Sequence, residues 1–204
     1  MSTHYKGSYY GKRSRRSAAK AEILLVHCPS LFTPQGVSRI RDKLLTLKAF
    51  KGEISAGVRE DYRSVTSREF GAGFDWIIDP ILDIYAQAND ETFGFRLAGI
   101  AENLNYLIYA SPGDHYDRHI DVHLPDLHTD KPNRKLTFIM QLSEPDDYVG
   151  CDVSIDGDAD EGEPLPRGLG DLIVFPAWTA HKVTPLESGA RHSIVGWVHG
   201  PAWC

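Results

Sequence analysis

The chain has 204 residues, of which 42% are hydrophobic and 25% charged, so it is long enough for one well-buried domain and ordinary in composition for a globular protein. Its formal net charge of −6 argues against nucleic acid as a general partner. The three cysteines, Cys28, Cys151 and Cys204, show no repeated spacing, which argues against a disulfide framework and favours a reducing compartment.

Residues 1–20 are predicted to be a flexible basic arm. They combine Ser, Tyr and Gly with six Lys and Arg residues and show no apolar periodicity. The apolar run that follows, residues 23–26, is a candidate first strand. It is too short for the core of a signal peptide or for a membrane span, so we expect a cytoplasmic protein without a membrane partner. Residues 21–204 are expected to form a single domain.

Two helices are predicted in the N-terminal half of this domain. Thr33 followed by Pro34 is a helix-start signal, and apolar residues at helical spacing extend the first helix to about Ala49. Asp79 and Pro80 repeat the start signal and open a second amphipathic helix.

The remainder of the chain is rich in β-forming residues. Short runs of β-branched and aromatic residues are separated by Gly, Pro, Ser and Asp clusters that are typical of turns. Eight such runs predict an α+β, mainly β fold, a double-sheet jelly roll or a barrel whose core spans residues 93–200 and whose N-terminal helices buttress one sheet. The predicted strands are residues 93–97, 104–109, 116–122, 136–142, 153–155, 172–175, 182–184 and 192–198.

The third predicted strand carries a candidate metal site. His119 and Asp121 are two residues apart, so on a strand both side chains face the same way. The same holds for His115 with Asp117 and for Asp121 with His123, so alternation alone does not choose among the three pairs. His115 lies directly beside a Pro-Gly turn, where the strand is barely established, and we therefore favour His119 with Asp121.

A third ligand is expected in the C-terminal part of the chain, where three histidines compete. If Arg191 faces inward then His192 faces outward, and His199 lies at the frayed end of its strand, so His181 is the favoured candidate. Two histidines and one carboxylate on one face of a metal, with the other positions open, are typical of non-haem Fe(II) oxygenases. Arg191 then offers a planar fork for the carboxylate of a cosubstrate.

Several segments share their order and spacing with a known enzyme family. They are residues 109–121 with Tyr109, Gly113, Tyr116, His119 and Asp121, residues 134–143 (RKLTFIMQLS), residues 146–150, residues 170–176 (GDLIVFP), residues 181–185 (HKVTP) and residues 189–191 (GAR). In this order they resemble the 2-oxoglutarate/Fe(II) dioxygenases of the prolyl-4-hydroxylase type, especially the PKHD-type bacterial branch. The resemblance covers about residues 75–200.

This resemblance implies a cupin-like jelly roll, the double-stranded β-helix. It implies Fe(II) held by His119, Asp121 and His181. It also implies that 2-oxoglutarate is bound through its distal carboxylate by Arg191 and contacted by Tyr109. O2 is the second cosubstrate, and ascorbate is a candidate accessory reductant. Where the family has Gly-Gly-Glu, this chain has Gly-Cys-Asp at residues 150–152, which predicts a thiol near the pocket mouth.

The resemblance favours a prolyl residue in a protein or peptide as the substrate. Residues 51–74, a polar and glycine-punctuated loop or irregular hairpin, are a candidate lid, and the acidic residues 152–163 could attract a basic peptide. Hydroxylation of a free amino acid or a small natural product is the alternative reaction. A nucleic-acid demethylase would want a second arginine where this chain has Trp197, and a non-catalytic jelly-roll binding module would not need the intact ligand set. The sequence indicates no oligomeric state.

Overall fold

The computed structural model describes residues 24–52, 57, 59–122, 132–155 and 163–202. The basic arm, His123 and most of the predicted acidic stretch lie outside these residues. Within the described ranges, the helices are all too short or too polar to cross a membrane.

The described fold contains fourteen short strands. They are β1 (Val26–Cys28), β2 (Phe50–Lys51), β3 (Arg63–Ser64), β4 (Thr66–Phe70), β5 (Leu104–Tyr109), β6 (His115–His119), β7 (Asn133–Gln141), β8 (Tyr148–Gly150), β9 (Val153–Ile155), β10 (Glu163–Pro164), β11 (Leu172–Pro176), β12 (His181–Val183), β13 (Leu186–Gly189) and β14 (Arg191–Gly200).

These strands form a sandwich of two antiparallel sheets. The main sheet has the order β1-β11-β7-β14-β5-β4-β2, the minor sheet has the order β10-β9-β12-β6-β3, and β13 pairs separately with β8. Leu107, Ile139 and Ile173 of the main sheet share one apolar cluster with Val153 and Val183 of the minor sheet. This inter-sheet cluster joins the two layers, and the predicted jelly-roll class is confirmed.

Two helices cover the other face of the main sheet. Helix α1 (Pro34–Leu45) begins as predicted, because the Thr33 hydroxyl accepts a hydrogen bond from the Gly36 backbone N–H at 3.2 Å. It ends four residues before the predicted end. Its buried Val37, Ile40 and Leu44 pack in one cluster with residues from α2 (Asp75–Ala88) and from the main sheet. The predicted buttressing of one sheet by the helices is thus confirmed.

The predicted start of the second helix is wrong by several residues. The helix begins at Asp75, and Pro80 lies inside it. A proline at this position removes one backbone hydrogen bond near the helix start. Burial of Ile77, which is fully covered, favours the additional N-terminal turn despite that loss.

The predicted strand at residues 93–97 is also wrong. A π-helical turn, Asn89–Phe93, follows α2 and ends at Gly94, whose φ of 68° is in the left-handed region. The Asn89 side chain then bonds both backbone polar groups of Phe95, accepting from its N–H and donating to its carbonyl, each at 2.9 Å. These side-chain bonds satisfy the backbone locally, so the segment does not need a strand partner.

Two further boundaries bear on the candidate site. The predicted loop or hairpin of residues 51–75 contains β3, which pairs with β6, and β4, which joins the main sheet beside β5. Strand β6 ends at His119 and not at residue 122, while β12 begins at His181 itself. Asp121 therefore lies beyond the strand that carries His119.

Candidate active site

His119, Asp121 and His181 converge beside strand β6. His181 lies directly opposite His119 in the β12–β6 register. Asp121 is brought to them by a different contact, because its backbone N–H donates to the carbonyl of Ala177 at 2.8 Å. The ligand-capable atoms of the three side chains all lie within 4.8 Å of one another. Among the residues that the structure describes, this is the one group of three His, Cys, Asp or Glu side chains with such a geometry.

The Asp121 carboxylate stands between the two imidazoles. Its Oδ1 is 3.5 Å from Nε2 of His119, and its Oδ2 is 3.5 Å from Nε2 of His181. Both distances are longer than a typical hydrogen bond. The three side chains are between 5% and 9% exposed. Two imidazole nitrogens and a carboxylate that converge in this way form a donor set suited to a divalent cation.

Backbone carbonyls set the tautomer of both histidines. Nδ1 of His119 lies 2.7 Å from the carbonyl of Asp117, and Nδ1 of His181 lies 3.0 Å from the carbonyl of Thr179. A carbonyl oxygen only accepts, so each Nδ1 must carry the proton and each neutral ring keeps its lone pair on Nε2. The two rings thus direct their free nitrogens toward Asp121.

Thr137 orients the carboxylate and was not identified from the sequence. Its hydroxyl donates to Oδ2 of Asp121 at 2.8 Å in a buried position. Thr137 lies on β7 two residues from Ile139, which faces the inter-sheet cluster, so alternation along β7 was the signal that could have found it. This bond leaves Oδ1 as the oxygen without a hydroxyl partner.

The electrostatics of the cluster favour an ionised Asp121. Burial alone would raise the pKa of this carboxyl, but the attraction of His181 and the contact with His119 hold it well below its usual range. Burial lowers the pKa of His181 despite the nearby carboxylate. A charged carboxylate beside neutral imidazoles is the protonation state in which all three can donate electron pairs to a cation.

The competing candidates among the described residues do not form such a site, and His123 lies outside the described residues. Asp117 is 54% exposed and its Oδ1 is 3.8 Å from Nε2 of His115, with no third ligand near this pair in the described chain. His192 faces the helical layer, where its Nδ1 lies 2.6 Å from the Tyr106 hydroxyl. Nε2 of His199 lies instead 3.0 Å from Oε1 of Glu102.

Arg191 is the second notable feature of the inter-sheet space. It is 1% exposed and lies opposite Tyr109 in the β14–β5 register, with its guanidinium carbon 5.5 Å from the Tyr109 ring centre. Its Nε and Nη2 both donate to the amide oxygen of Gln141, at 3.2 and 3.0 Å. None of the carboxylates in the described ranges pairs with it. Arg191 is thus a buried cation held in place by a neutral partner.

Two more polar groups lie close to Arg191. Ser193 follows it on the same face of β14, and its buried hydroxyl has no hydrogen-bond partner among the described residues. Cys151, expected near the pocket mouth, is fully buried in the cluster that also contains Tyr109. Burial raises the pKa of its thiol to about 12, so the thiol stays protonated at neutral pH.

His192 gives the fold a specific pH dependence. Burial, assisted by the charge of Arg41, lowers its pKa from the ordinary value of 6.5 to about 4. Between these two values the unfolded chain binds a proton that the folded chain does not, so stability is expected to fall as pH drops from about 6.5 to 4. The full loss is about 3 kcal/mol for this pKa difference.

Urea unfolding of the metal-free protein at several pH values measures this slope. His192→Asn removes the titrating ring, and its free energy of unfolding is expected to change less over the same window. Equal pH slopes for the wild-type and His192→Asn proteins would rule out His192 as the source.

Comparison with known proteins places these motifs in a family context. The sequence pattern of the 2OG-Fe(II) oxygenase superfamily matches residues 104–199, which include both histidines, the aspartate and Arg191. A PKHD-type hydroxylase of Synechococcus elongatus is 27% identical over 178 residues, covering 86% of this chain and 78% of that protein.

Solved structures resemble the fold. A prolyl-4-hydroxylase of Pseudomonas putida aligns with a TM-score of 0.67 at 17% identity, over 87% of this chain and 93% of that one. A prolyl hydroxylase from Trichoplax adhaerens, in complex with a peptide fragment of hypoxia inducible factor, aligns with a TM-score of 0.70 at 14% identity, over 86% and 83% of the two chains. At these identities the likeness establishes the jelly-roll fold.

Proposed function

We propose that the chain, whose residues 104–199 match the 2OG-Fe(II) oxygenase superfamily, is a member of that superfamily and a hydroxylase that uses 2-oxoglutarate and O2 as cosubstrates, with Fe(II) held by His119, Asp121 and His181. The observation that carries this proposal is the convergence of these three side chains within 4.8 Å in one buried cluster.

The residues present fit this metal. Nε2 of both imidazoles is available to a metal because each Nδ1 donates a hydrogen bond to a backbone carbonyl. The Thr137 hydroxyl bonds Oδ2 of Asp121, so Oδ1 is also available. When bound, Fe(II) supplies the activation of O2 by which 2-oxoglutarate becomes succinate and CO2 while a C–H bond of the substrate becomes C–OH. The role of the three side chains is to hold the metal on one face and leave its other positions open.

Arg191 is proposed to bind the distal carboxylate of 2-oxoglutarate. A buried charge is costly when no opposite charge accompanies it, and the hydrogen bonds of Arg191 to Gln141 supply only a neutral acceptor. A carboxylate matches the planar guanidinium fork and would neutralise it. The free Ser193 hydroxyl offers another donor to the same carboxylate. Tyr109, which lies opposite Arg191 on the neighbouring strand, is proposed to contact the same cosubstrate.

The proposed substrate is a prolyl residue within a protein or peptide. PKHD-type hydroxylases are among the relatives, and the Trichoplax prolyl hydroxylase was solved with a peptide. Strand β3 pairs with β6, the strand of His119, and the Tyr62 ring meets the Tyr116 ring edge-on at 5.9 Å. These contacts bring residues 62–64 of the proposed lid next to the strand that carries His119. Tyr116 in turn stacks on His119 at 3.5 Å.

The charge of one surface groove favours a basic peptide. The groove is lined by the acidic Asp146, Asp152 and Glu187, and of these Asp152 is paired with Arg167 of the same groove at 2.8 Å, which leaves Asp146 and Glu187 to attract a cation. An acidic surface speeds encounter with a cationic peptide, and the effect weakens as salt rises. The alternative is a free amino acid or small natural product, which would need no such surface.

The test uses the iron-loaded protein with 2-oxoglutarate, O2 and one of three substrates: a basic proline-containing peptide, an acidic one, or free L-proline. Succinate and hydroxylated product are both measured. Succinate is expected only when Fe(II) is present, with the highest product yield from the basic peptide at low salt.

Each contrary result removes a different part of the proposal. Succinate formation that does not depend on Fe(II) would refute the metal-dependent function itself. Faster turnover of free L-proline than of every peptide would replace the peptidyl substrate with a small molecule. Equal rates for acidic and basic peptides at low salt would remove the acidic groove from the account.

A further inference from the structure

Asp121 differs from the two histidines in how it is held. His119 and His181 belong to paired strands, whereas Asp121 lies beyond the end of β6. Its backbone is held by two contacts, the N–H to the Ala177 carbonyl and the carbonyl to a side chain, Nη1 of Arg134, at 3.2 Å. A residue outside the regular strand pairing depends on such contacts for its position.

Arg134 is itself held on several sides. Its Nε and Nη2 donate to the two oxygens of Glu102 at 2.7 and 2.6 Å, a bidentate pair. Its guanidinium carbon lies 3.5 Å from the ring centre of Trp197, a buried side chain on β14. These three contacts fix the guanidinium group, and its remaining nitrogen, Nη1, is left to reach the Asp121 carbonyl.

His199 completes this arrangement by holding Glu102. The Ala101 backbone N–H donates to Nδ1 of His199 at 3.4 Å, which places the ring proton on Nε2. That nitrogen lies 3.0 Å from Oε1 of Glu102. The glutamate therefore receives bonds from both sides, and together they hold the pKa of Glu102 down to about 2 against the opposing effect of burial.

A β-bulge brings these residues together. Val198 pairs with Leu136, but the next residue, His199, pairs with Arg134, so Lys135 is the extra residue of β7. Leu136 faces the helical layer. Without the bulge, alternation along β7 would place the Arg134 side chain on the helical face of the sheet, as it does Leu136. With the bulge, Arg134 lies on the opposite face, where it contacts Trp197.

We propose that Arg134, fixed by Glu102 and His199, is a positioning residue for Asp121 in the metal site. This inference rests on the proposed function. In this arrangement, the position of the Asp121 carboxylate depends on residues of the main sheet, whereas His119 and His181 belong to strands of the minor sheet. The hydrogen bond of the network to Asp121 goes to its backbone carbonyl, while the Asp121 carboxylate accepts its hydroxyl bond from Thr137.

Loss of the network is expected to weaken metal binding. Partners that orient metal ligands typically contribute about 10–100-fold to metal affinity. Arg134→Gln removes the contact to the Asp121 carbonyl together with the bidentate pair, so we expect a loss in that range. Arg134→Lys keeps a charge but can satisfy Glu102 or the carbonyl and not both, so it should lie between wild type and Arg134→Gln. Glu102→Gln should weaken binding in the same direction by a smaller factor.

The experiment titrates the metal-free protein with Co(II), following its visible absorption spectrum, and records the thermal midpoint of each variant. Arg167→Gln is the matched control. Arg167 also makes an ion pair, with Asp152 at 2.8 Å, donates to two backbone carbonyls and lies over an aromatic ring, Tyr148, at 4.2 Å. It contacts none of the three candidate ligands. Its loss should lower the thermal midpoint and leave Co(II) affinity within about twofold of wild type.

The outcomes separate this inference from the proposed function. A folded Arg134→Gln protein with wild-type Co(II) affinity would overturn the positioning role, as would an equal loss in Arg167→Gln. If Arg134→Gln does not fold, Glu102→Gln decides: unchanged Co(II) affinity and spectrum overturn the role, and weakened affinity supports it. A wild-type protein that binds no Co(II), or binds it equally well after Asp121→Ala, would instead refute the metal site.

Discussion

Replacing Asp121 with alanine is expected to abolish 2-oxoglutarate turnover and to weaken metal binding severely. The change removes the only charged member of the candidate donor set and leaves two neutral imidazoles to hold a divalent cation. It also leaves the Thr137 hydroxyl without its buried acceptor. His119→Ala and His181→Ala should have the same effect on turnover, measured as succinate released from 2-oxoglutarate.

The controls for this prediction come from the competing pair four residues earlier in the chain. His115→Ala and Asp117→Ala should retain metal binding and turnover, because these side chains do not join the buried cluster. Loss of metal in these two variants together with its retention in His119→Ala would show that the pair has been wrongly assigned.

Replacing Arg191 is expected to raise the KM for 2-oxoglutarate while leaving metal binding nearly unchanged. Arg191→Ala removes one partner of a buried charge pair, a change that typically costs on the order of 3–5 kcal/mol, or roughly a hundredfold to several-thousandfold in affinity. Arg191→Lys keeps the charge but loses the planar fork, so its KM should rise less.

Arg41→Ala is the control for the Arg191 variants. Arg41 approaches the same sheet from the helical side, near the carbonyl of Leu142, and should leave the KM for 2-oxoglutarate unchanged. Wild-type affinity for 2-oxoglutarate in Arg191→Ala would exclude this arginine as the carboxylate partner, whatever the state of the metal cluster.

The spacing of apolar residues along the chain predicted the fold class, because it reflects which face of each helix and strand is buried. Alternation along β14 predicted that His192 faces outward if Arg191 faces inward, and the structure places the two side chains on opposite faces in this way. Alternation left three His/Asp pairs open, and the position of His115 beside a Pro-Gly turn favoured the pair that converges at the cluster. The reason given for one of them was incomplete, since Asp121 lies past the strand and reaches His119 through its bond to Ala177.

Features that depend on long-range or side-chain contacts were not predicted. The turn after α2 is set by the two bonds of Asn89 to Phe95, which compete with a strand pattern that looks favourable in isolation. The pairing of Glu102 with Arg134 joins residues 32 apart and arises from a bulge, for which the local sequence has no signal. Strand β4 was hidden in a polar segment because it packs beside β5 with only two of its five residues, Ser67 and Phe70, buried.

The central claim is that one site joins the metal cluster to Arg191 through 2-oxoglutarate. The most direct measurement is a crystal structure of the protein with Fe(II) and 2-oxoglutarate in the absence of O2, with the metal located by anomalous scattering. We expect one iron peak bonded to His119, Asp121 and His181, with 2-oxoglutarate reaching from the metal to the guanidinium of Arg191. An iron peak at His115 and Asp117, or 2-oxoglutarate bound away from Arg191, would contradict it.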